Sequence, residues 1–437
     1  MSKYSLYPEY VQTRVEWIPE LPKGWKIGGL TKFLDNIIDY RGKTPEKVEE
    51  GIFLVTARNI KQGQINYDLS HEYIKEDDYE EVMRRGKPKI GDVLFTTEAP
   101  LGEVANIDRE DIALAQRVIK FRALPEMLDN YYLKYWILSH PFQSNLRTFA
   151  TGSTAEGIKA SKLSSLQVIL PTLTEQRKIV RFLDEKISEI NILVENKNNL
   201  IILLEQQLQS IITEAVTKGL NPNVKMKNSA VEWIGEIPEH WEVNKIKFKF
   251  DIRKVIQPTE NPTVLSLTQR GLKIKDLKDF SGQHAESYDK YQKVEIKDYV
   301  MNGMDLLTGY VDCSPFEGVT SPDYRVFRIK DNTECHDYYL RYFQICYFAK
   351  IFYGHGQGVS NFGRWRLQTD VFKDFPIPVP PKVEQFEISE YLKAKENEID
   401  KALDLIRLDI EKLKEYRQAL IYEAVTGKID VRELALD

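Results

Sequence analysis

Arginine, lysine, asparagine, glutamine and small hydroxyl side chains can read base edges when loops hold them forward of a rigid support. This chain carries two such sets, each placed just after apolar strands. In the first half, Arg58, Asn59, Lys61 and Gln62 follow the run Ile52 to Thr56, and Thr96 and Thr97 follow Val93-Leu94-Phe95. Gln116 and Arg117 form a third segment, and Thr151-Gly152-Ser153-Thr154 with Lys159 a fourth. In the second half, Thr268-Gln269-Arg270 follows Val264-Leu265-Ser266-Leu267 in the same manner. Gly354 to Asn361 is a polar, glycine-rich loop containing His355, Gln357, Ser360 and Asn361, with Arg364 just beyond it. Its glycines permit close backbone approach to a phosphate. For each residue taken singly, an ordinary surface loop is the competing reading.

Residues for covalent chemistry are missing. No Gly-x-x-x-x-Gly-Lys-Ser/Thr loop occurs, so nucleotide hydrolysis is not expected. Asn261-Pro262-Thr263-Val264 lacks the second proline and the ring of the Asn-Pro-Pro-aromatic motif of adenine methyltransferases, and no glycine-rich cofactor loop accompanies it. Glu295-Ile296-Lys297, preceded by Asp289, imitates a metal-dependent nuclease motif, but such triplets arise by chance in a chain that is 29% charged. No serine or cysteine triad spacing is recognisable. Cys313, Cys335 and Cys346 are too few for a disulfide framework and lack Cys-x-x-Cys spacing. They read as core residues in a reducing cytosol, with no metal site and no cofactor on this chain.

The elements that must position these loops are written twice. Val15-Glu16-Trp17-Ile18-Pro19-Glu20-Leu21-Pro22-Lys23-Gly24-Trp25 returns 216 residues later as Val231 to Trp241. Glu175-Gln176 returns 209 residues later as Glu384-Gln385, and Glu214-Ala215-Val216-Thr217 as Glu423 to Thr426 at the same offset. The stretches between resemble each other far less, which describes a duplicated module with a fixed frame and a variable insert rather than a short-period solenoid. Apolar residues from Val180 through Leu183, Ile187, Ile190, Val194, Ile201, Leu204, Leu208 and Ile211 to Ala215 alternate by threes and fours, interrupted only by Lys197. That is a helical a/d seam. The second copy keeps Leu392, Ile399, Leu403, Ile406, Ile410, Leu413, Leu420 and Ala424, with Glu396 and Arg417 as polar interruptions.

Thr172-Leu173-Thr174-Glu175 reads as a capping box and Pro380-Pro381 as a second helix start, while Gly219 and Gly427 stand at C-cap positions. A long apolar seam needs a partner, and the other copy is the nearest one. The expected architecture is mixed α/β (α+β): domains at 1–172 and 220–381, long helices at 173–219 and 382–428, and a tail at 429–437. The helices pair as an antiparallel coiled coil with pseudo-two-fold symmetry. A fold-back at Asn196-Lys197-Asn198-Asn199 is disfavoured, since Leu405 to Leu408 carries no breaker. Trp17, Trp25, Trp233 and Trp241, duplicated in the frame, should pack the base of each domain. Asn130 to Trp136 and Asp337 to Phe343 should each form a helix beneath a recognition surface.

Net charge is −5, which alone does not favour a polyanion partner. Its distribution does. Arg341 to Lys373 interleaves basic and aromatic residues, and Arg84 to Lys89 and Arg117 to Arg122 add basic stretches to the first insert. No signal-like segment opens the sequence and no run of about 18 apolar residues occurs, so a cytoplasmic protein without a membrane partner is expected.

The frame resembles that of the DNA specificity subunit of type I restriction-modification systems. The resemblance lies in Trp-Ile-Pro/Gly-Glu-x-Pro-x-x-Trp opening each half, Leu170-Pro171 or Val379-Pro380-Pro381 leading into Glu-Gln, and a long helix closing on Glu-Ala-Val-Thr. Gly91-Asp92-Val93-Leu94-Phe95 and Ile52 to Ile60 are similar to that family's first recognition domain, while the second insert departs more, Val300 to Leu307 only loosely resembling the Gly-Asp-Val-Leu segment. The resemblance implies two target-recognition domains on double-stranded DNA and helices that space the half-sites. It further implies two docked methyltransferase subunits and additional restriction or translocase subunits. S-adenosylmethionine, ATP and Mg would then act on the partners, which methylate adenine N6 after flipping the base. The rival from another class is a protein-binding adaptor with two binding domains on a rod. Steeply salt-dependent binding to duplex DNA separates the two.

Overall fold

The computed structural model describes residues 4–40, 45–152, 156–256, 262–276, 287–358 and 365–434. The chain forms two compact units, Met1–Lys197 with Leu408–Asp437 and Asn198–Arg407. The unit boundaries therefore cut through the two long helices rather than falling at their ends.

In the first unit, strands Val104–Asn106, Val93–Thr96, Val118–Ala123 and Leu34–Asp39 form an antiparallel sheet in that order. All four residues of Val93–Thr96 are buried, because the sheet is covered on both faces. Val93, Phe95, Ile119 and Phe121 face the core that holds the helix Asn130–Leu138, while Leu94, Val118 and Ile38 face a second core beneath strands Ile52–Val55 and Ile112–Leu114. Period-two side chains on a doubly covered strand produce the continuous apolar run seen in the sequence. The second unit repeats this order with Val311–Cys313, Tyr299–Met301, Arg325–Ile329 and Phe250–Arg253.

This alignment corrects one reading. The second counterpart of Gly91-Asp92-Val93-Leu94-Phe95 is Lys297-Asp298-Tyr299-Val300-Met301, not Val300 to Leu307. What repeats is a left-handed residue, Gly91 at φ 85° or Lys297 at φ 69°, followed by a buried aspartate. Asp92 takes Arg122 Nε at 2.7 Å and the Lys89 N–H at 3.2 Å; Asp298 takes Arg328 Nε at 2.7 Å and the Glu295 N–H at 2.8 Å. Glu295 is itself held by Arg253, Lys293 and Arg328, which pull its carboxyl down to about 2. The nuclease-like triplet is thus part of a strand-to-strand ionic brace.

The central helix spans Leu173–Lys218 and the C-terminal helix Lys382–Val425, both unbroken. Within each unit half of one pairs with half of the other, antiparallel: Asn191 meets Arg417 and Lys197 meets Asp409 in the first, and Arg407 approaches Glu205 in the second. The residues from Ile187 to Ala215 on the sequence-derived seam are buried or half-buried at every step.

The duplicated motifs fasten these helices to each domain. Glu175 closes the capping box with Thr172 and accepts Trp25 Nε1 at 3.3 Å, as Glu384 accepts Trp241 Nε1 at 2.8 Å. The buried amide of Gln176 accepts the Asp129 N–H and donates to the carbonyls of Met127 and Pro171; Gln385 accepts the Cys335 N–H and donates to Pro380. The other helix ends on the same tryptophan. Gly427 (φ 74°) lies against Trp25 and Gly219 (φ 76°) against Trp241, with a Cβ at either position 3.2 or 3.1 Å from the indole.

The Tyr132 hydroxyl lies 3.0 Å from the Ile169 carbonyl and 3.4 Å from that of Val425; Tyr338 stands 3.2 and 2.9 Å from Pro378 and Val216. Tyr132 therefore corresponds to Tyr338, and the repeat of Asn130 to Trp136 is shifted by one residue from the text match with Asp337. The segment after the C-terminal helix packs into the first unit: Ile429 and Val431 are buried in its core, and the Asp430 N–H donates to Ser5.

Candidate nucleic-acid interface

Loops come together in each unit at the same place in the topology. In the first, strands Ile60–Lys61 and Gln64–Ile65 make a hairpin whose tip is Gln62-Gly63. Both tip residues have positive φ, 53° and 89°. The Gln62 N–H donates to Glu103 at 2.8 Å, which fixes the hairpin to the turn 97–103. On its other side that turn bonds to two further segments. Thr97 N donates to the Arg117 carbonyl at 2.9 Å, Ile158 N to the Thr97 carbonyl at 3.0 Å, and Thr151 and Gly157 exchange backbone bonds. The predicted segments around 62, 97, 117 and 151 to 159 thus share one surface.

The second unit repeats the constellation with different residues. Strands Leu265–Thr268 and Gly271–Ile274 form a hairpin with Gln269 and Arg270 exposed at its tip, shaped by Thr268 Oγ1, which donates to Gly271 and accepts the Arg270 N–H. Gln269 reaches the Thr308 carbonyl, in the loop between strands Tyr299–Met301 and Val311–Cys313. The same loop receives the Leu367 N–H at Gly303. Next to Leu367 runs a ribbon of Gln357–Gly358 against Trp365–Arg366. Thr151 pairs with Gly157 across five residues, as Gln357 pairs with Arg366 across eight. The two copies thus differ in length between equivalent bridges of the candidate surface. Arg325 supports the ribbon from beneath, donating to the Leu367 carbonyl at 2.8 Å, with burial lowering its guanidinium to about 10.

The candidate residues divide by what already binds them. Arg58, Lys61, Gln62, Arg117, Gly152, Lys159, Gln269, Arg270 and Gln357 are exposed, and Gln116 and Thr268 are half-buried. Ser153, Thr154, Ser360, Asn361 and Arg364 lie outside the described residues. Asn59 is buried, its amide donating to the carbonyls of Asn66 and Ser70 while its oxygen accepts from Thr56, so its capacity is spent inside the loop. Thr96 and Thr97 are buried too, Thr96 receiving the Glu103 N–H and Thr97 donating to Arg117 O. These three shape the surface and do not face out of it. His355 directs Nδ1 at the Ile351 carbonyl and sets its ring edge-on to Trp233, 4.7 Å between centroids.

The basic stretches also need correction. Lys120 is buried with Asp92, Arg122 pairs with Asp92, Arg84 with Glu81, Lys87 with Glu80, and Arg341 with Glu396. The aromatics Tyr342, Phe343, Tyr347 and Phe352 are core, and Trp25 and Trp241 are buried at the domain base. Alternation along strands and helices turns half of any basic-aromatic run inward, and linear charge counting does not register that. Among the described residues, no ion pair engages Arg58, Lys61, Lys159, Arg270 or Arg366. Arg366 was not among the sequence candidates; its register opposite Gln357 is what brings it there.

The sequence matches the type I restriction modification DNA specificity domain twice, over residues 23–202 and 240–406. It is 24% identical over 429 residues to the putative type I restriction enzyme MjaX specificity subunit of Methanocaldococcus jannaschii, covering 95% of this chain and 96% of that one. It is 23% identical over 436 residues to the MjaVIII specificity subunit of the same organism, covering 95% of each. A chain solved in work on complex assembly and conformational transition of the type I R-M system superposes with a TM-score of 0.65 at 18% identity, over 94% of this chain and 99% of that one. The HsdS subunit of Thermoanaerobacter tengcongensis superposes at 0.50 with 16% identity, over 94% and 98%.

Proposed function

The chain belongs to the type I restriction modification DNA specificity family, and on that premise we propose that its two units read the two halves of one bipartite, asymmetric DNA site. It is the DNA sequence-specificity subunit of a type I system. The observation that carries the finer reading is the contrast within the repeat: the frame of Trp, Glu-Gln and paired helices is kept, while the loops differ in residues and in length. A module that must hold the same partners but read different bases needs that division.

In this reading two methyltransferase subunits dock on the repeated frame, restriction or translocase subunits add to them, and S-adenosylmethionine, ATP and Mg act on those partners. The partner transfers a methyl group to adenine N6, and this chain positions that event in the cytoplasm without performing it. No helix among the described residues is long and apolar enough to cross a membrane. Methylome sequencing of the host with and without the gene is the direct test: an interrupted, non-palindromic adenine motif should vanish with the gene. A continuous palindromic motif would contradict the reading.

Single residues should act on one half only. Arg270→Ala removes from the second unit's hairpin tip an exposed cation that has no ion pair among the described residues. If it contacts a base edge, discrimination at one position should fall by about 1 to 3 kcal/mol; a phosphate contact would weaken all sequences alike. Competition binding by the assembled complex, against duplexes altered in one half at a time, measures both. Penalties spread over both halves would end the assignment of one unit to one half-site.

A further inference from the structure

Arg417 occupies a seam position of the C-terminal helix whose counterpart in the central helix is Leu208. Placing a guanidinium there costs solvation, and burial is what lowers its pKa. Its terminal nitrogens go to neutral acceptors, one to Asn191 Oδ1 at 3.0 Å and one to Gln62 Oε1 at 3.1 Å. Gln62 is the hairpin tip of the first unit, held from the other side by Glu103. Among the described residues the second unit shows no such link at this position, since Leu208 cannot donate. Its hairpin tip bonds, among the described residues, within its own domain, through Gln269 to Thr308.

We infer that Arg417 is a positioning residue for the first recognition surface, a strut through which the helix pair fixes the Gln62 hairpin tip. The inference rests on the reading of that surface as a DNA reader. A seam selected for stability alone would carry leucine, as the other copy does. The strut also assigns a role to Gln62. A glutamine reads adenine by offering its oxygen and its NH2 together, and here the oxygen is committed to Arg417. Gln62 therefore sets the hairpin's height over the surface, and exposed neighbours such as Arg58 and Lys61 make the outward contacts.

Arg417→Leu reproduces the other copy's seam, so the full chain should melt at or above the wild-type temperature. In the complex assembled with its methyltransferase subunits, the same variant should lose discrimination by about fivefold or more in the half-site that Arg270→Ala leaves untouched, and none in the other. Gln62→Ala should give the same loss without altering the seam, and the double variant should lose no more than either single one. Wild-type discrimination in both single variants would overturn the strut, and so would additive losses, which would mean that Gln62 reads a base by itself. A wild-type complex that discriminates neither half-site would instead overturn the functional reading.

Discussion

Asp92→Ala is expected to cost the first unit about 3 to 5 kcal/mol, the range for breaking a buried ion pair by removing one partner. The substitution strands Lys120, whose side chain is as buried as the carboxylate it meets at 3.0 Å, and leaves Arg122 without its bidentate acceptor. Amide exchange should report it locally: protection should fall in Val93–Thr96 and persist in Tyr299–Met301, where Asp298 keeps the same brace. Replacing Lys120 by methionine in the same background should recover much of the loss, because an unpaired buried ammonium carries most of it. A loss below about 1 kcal/mol would mean that the brace is no stronger than a surface pair.

The sign of the pH dependence follows from the same contacts. Burial pushes the Asp92 carboxyl upward, but bonds from Arg122 and Lys120 outweigh it and hold it below its ordinary value. A depressed carboxylate contributes stability that is full above the unfolded value of about 3.9 and is lost as pH falls through the folded one. The difference between wild type and Asp92→Ala should therefore be near its full size around neutral pH and shrink in acid, below about pH 4.

The parts of this fold legible in the sequence are those set by period and by local bonds. The seam from Val180 to Ala215 needs only a step of threes and fours, and Thr172 to Glu175 closes its cap within one turn. The family frame, Trp25 with Glu175 and Trp241 with Glu384, was legible because it is duplicated. What failed to read was anything set by partners distant in the chain. Asn59 has the residue type of a base reader, yet Asn66 and Ser70 supply carbonyls that consume it. Lys120 and Arg122 count as positive charge in a linear scan, and Asp92, 28 and 30 residues away, removes them from the surface. The second Gly-Asp-Val-Leu segment was hidden because its left-handed position holds Lys297, so that strand order and the pairing of Asp298 with Arg328 identify it. The recognition loops were legible as places and not as contacts, since no fixed code links a loop residue to a base.

Lengthening both long helices should move the half-sites apart without changing what they say. Each helix lends one half to each unit: Phe182 and Ile190 of the central helix lie in the first core and Ile212 and Val216 in the second, while Ile388 and Leu392 of the C-terminal helix lie in the second and Leu420 and Val425 in the first. Four residues added after Lys197 and four after Arg407 extend each helix by about 6 Å and close to one turn, keeping the seam nearly in phase. Adding them to the central helix alone would slip its second half by a turn against its partner, and that variant should fold poorly. With both insertions the methylome motif should keep both half-sites and gain about one or two base pairs in the unspecified gap, at 3.4 Å per step. Affinity for the original spacing should drop at least ~100-fold, since an out-of-register half forfeits several base pairs worth about 1 to 3 kcal/mol each. New bases within either half-site would show that the loops, and not the helices, set the spacing.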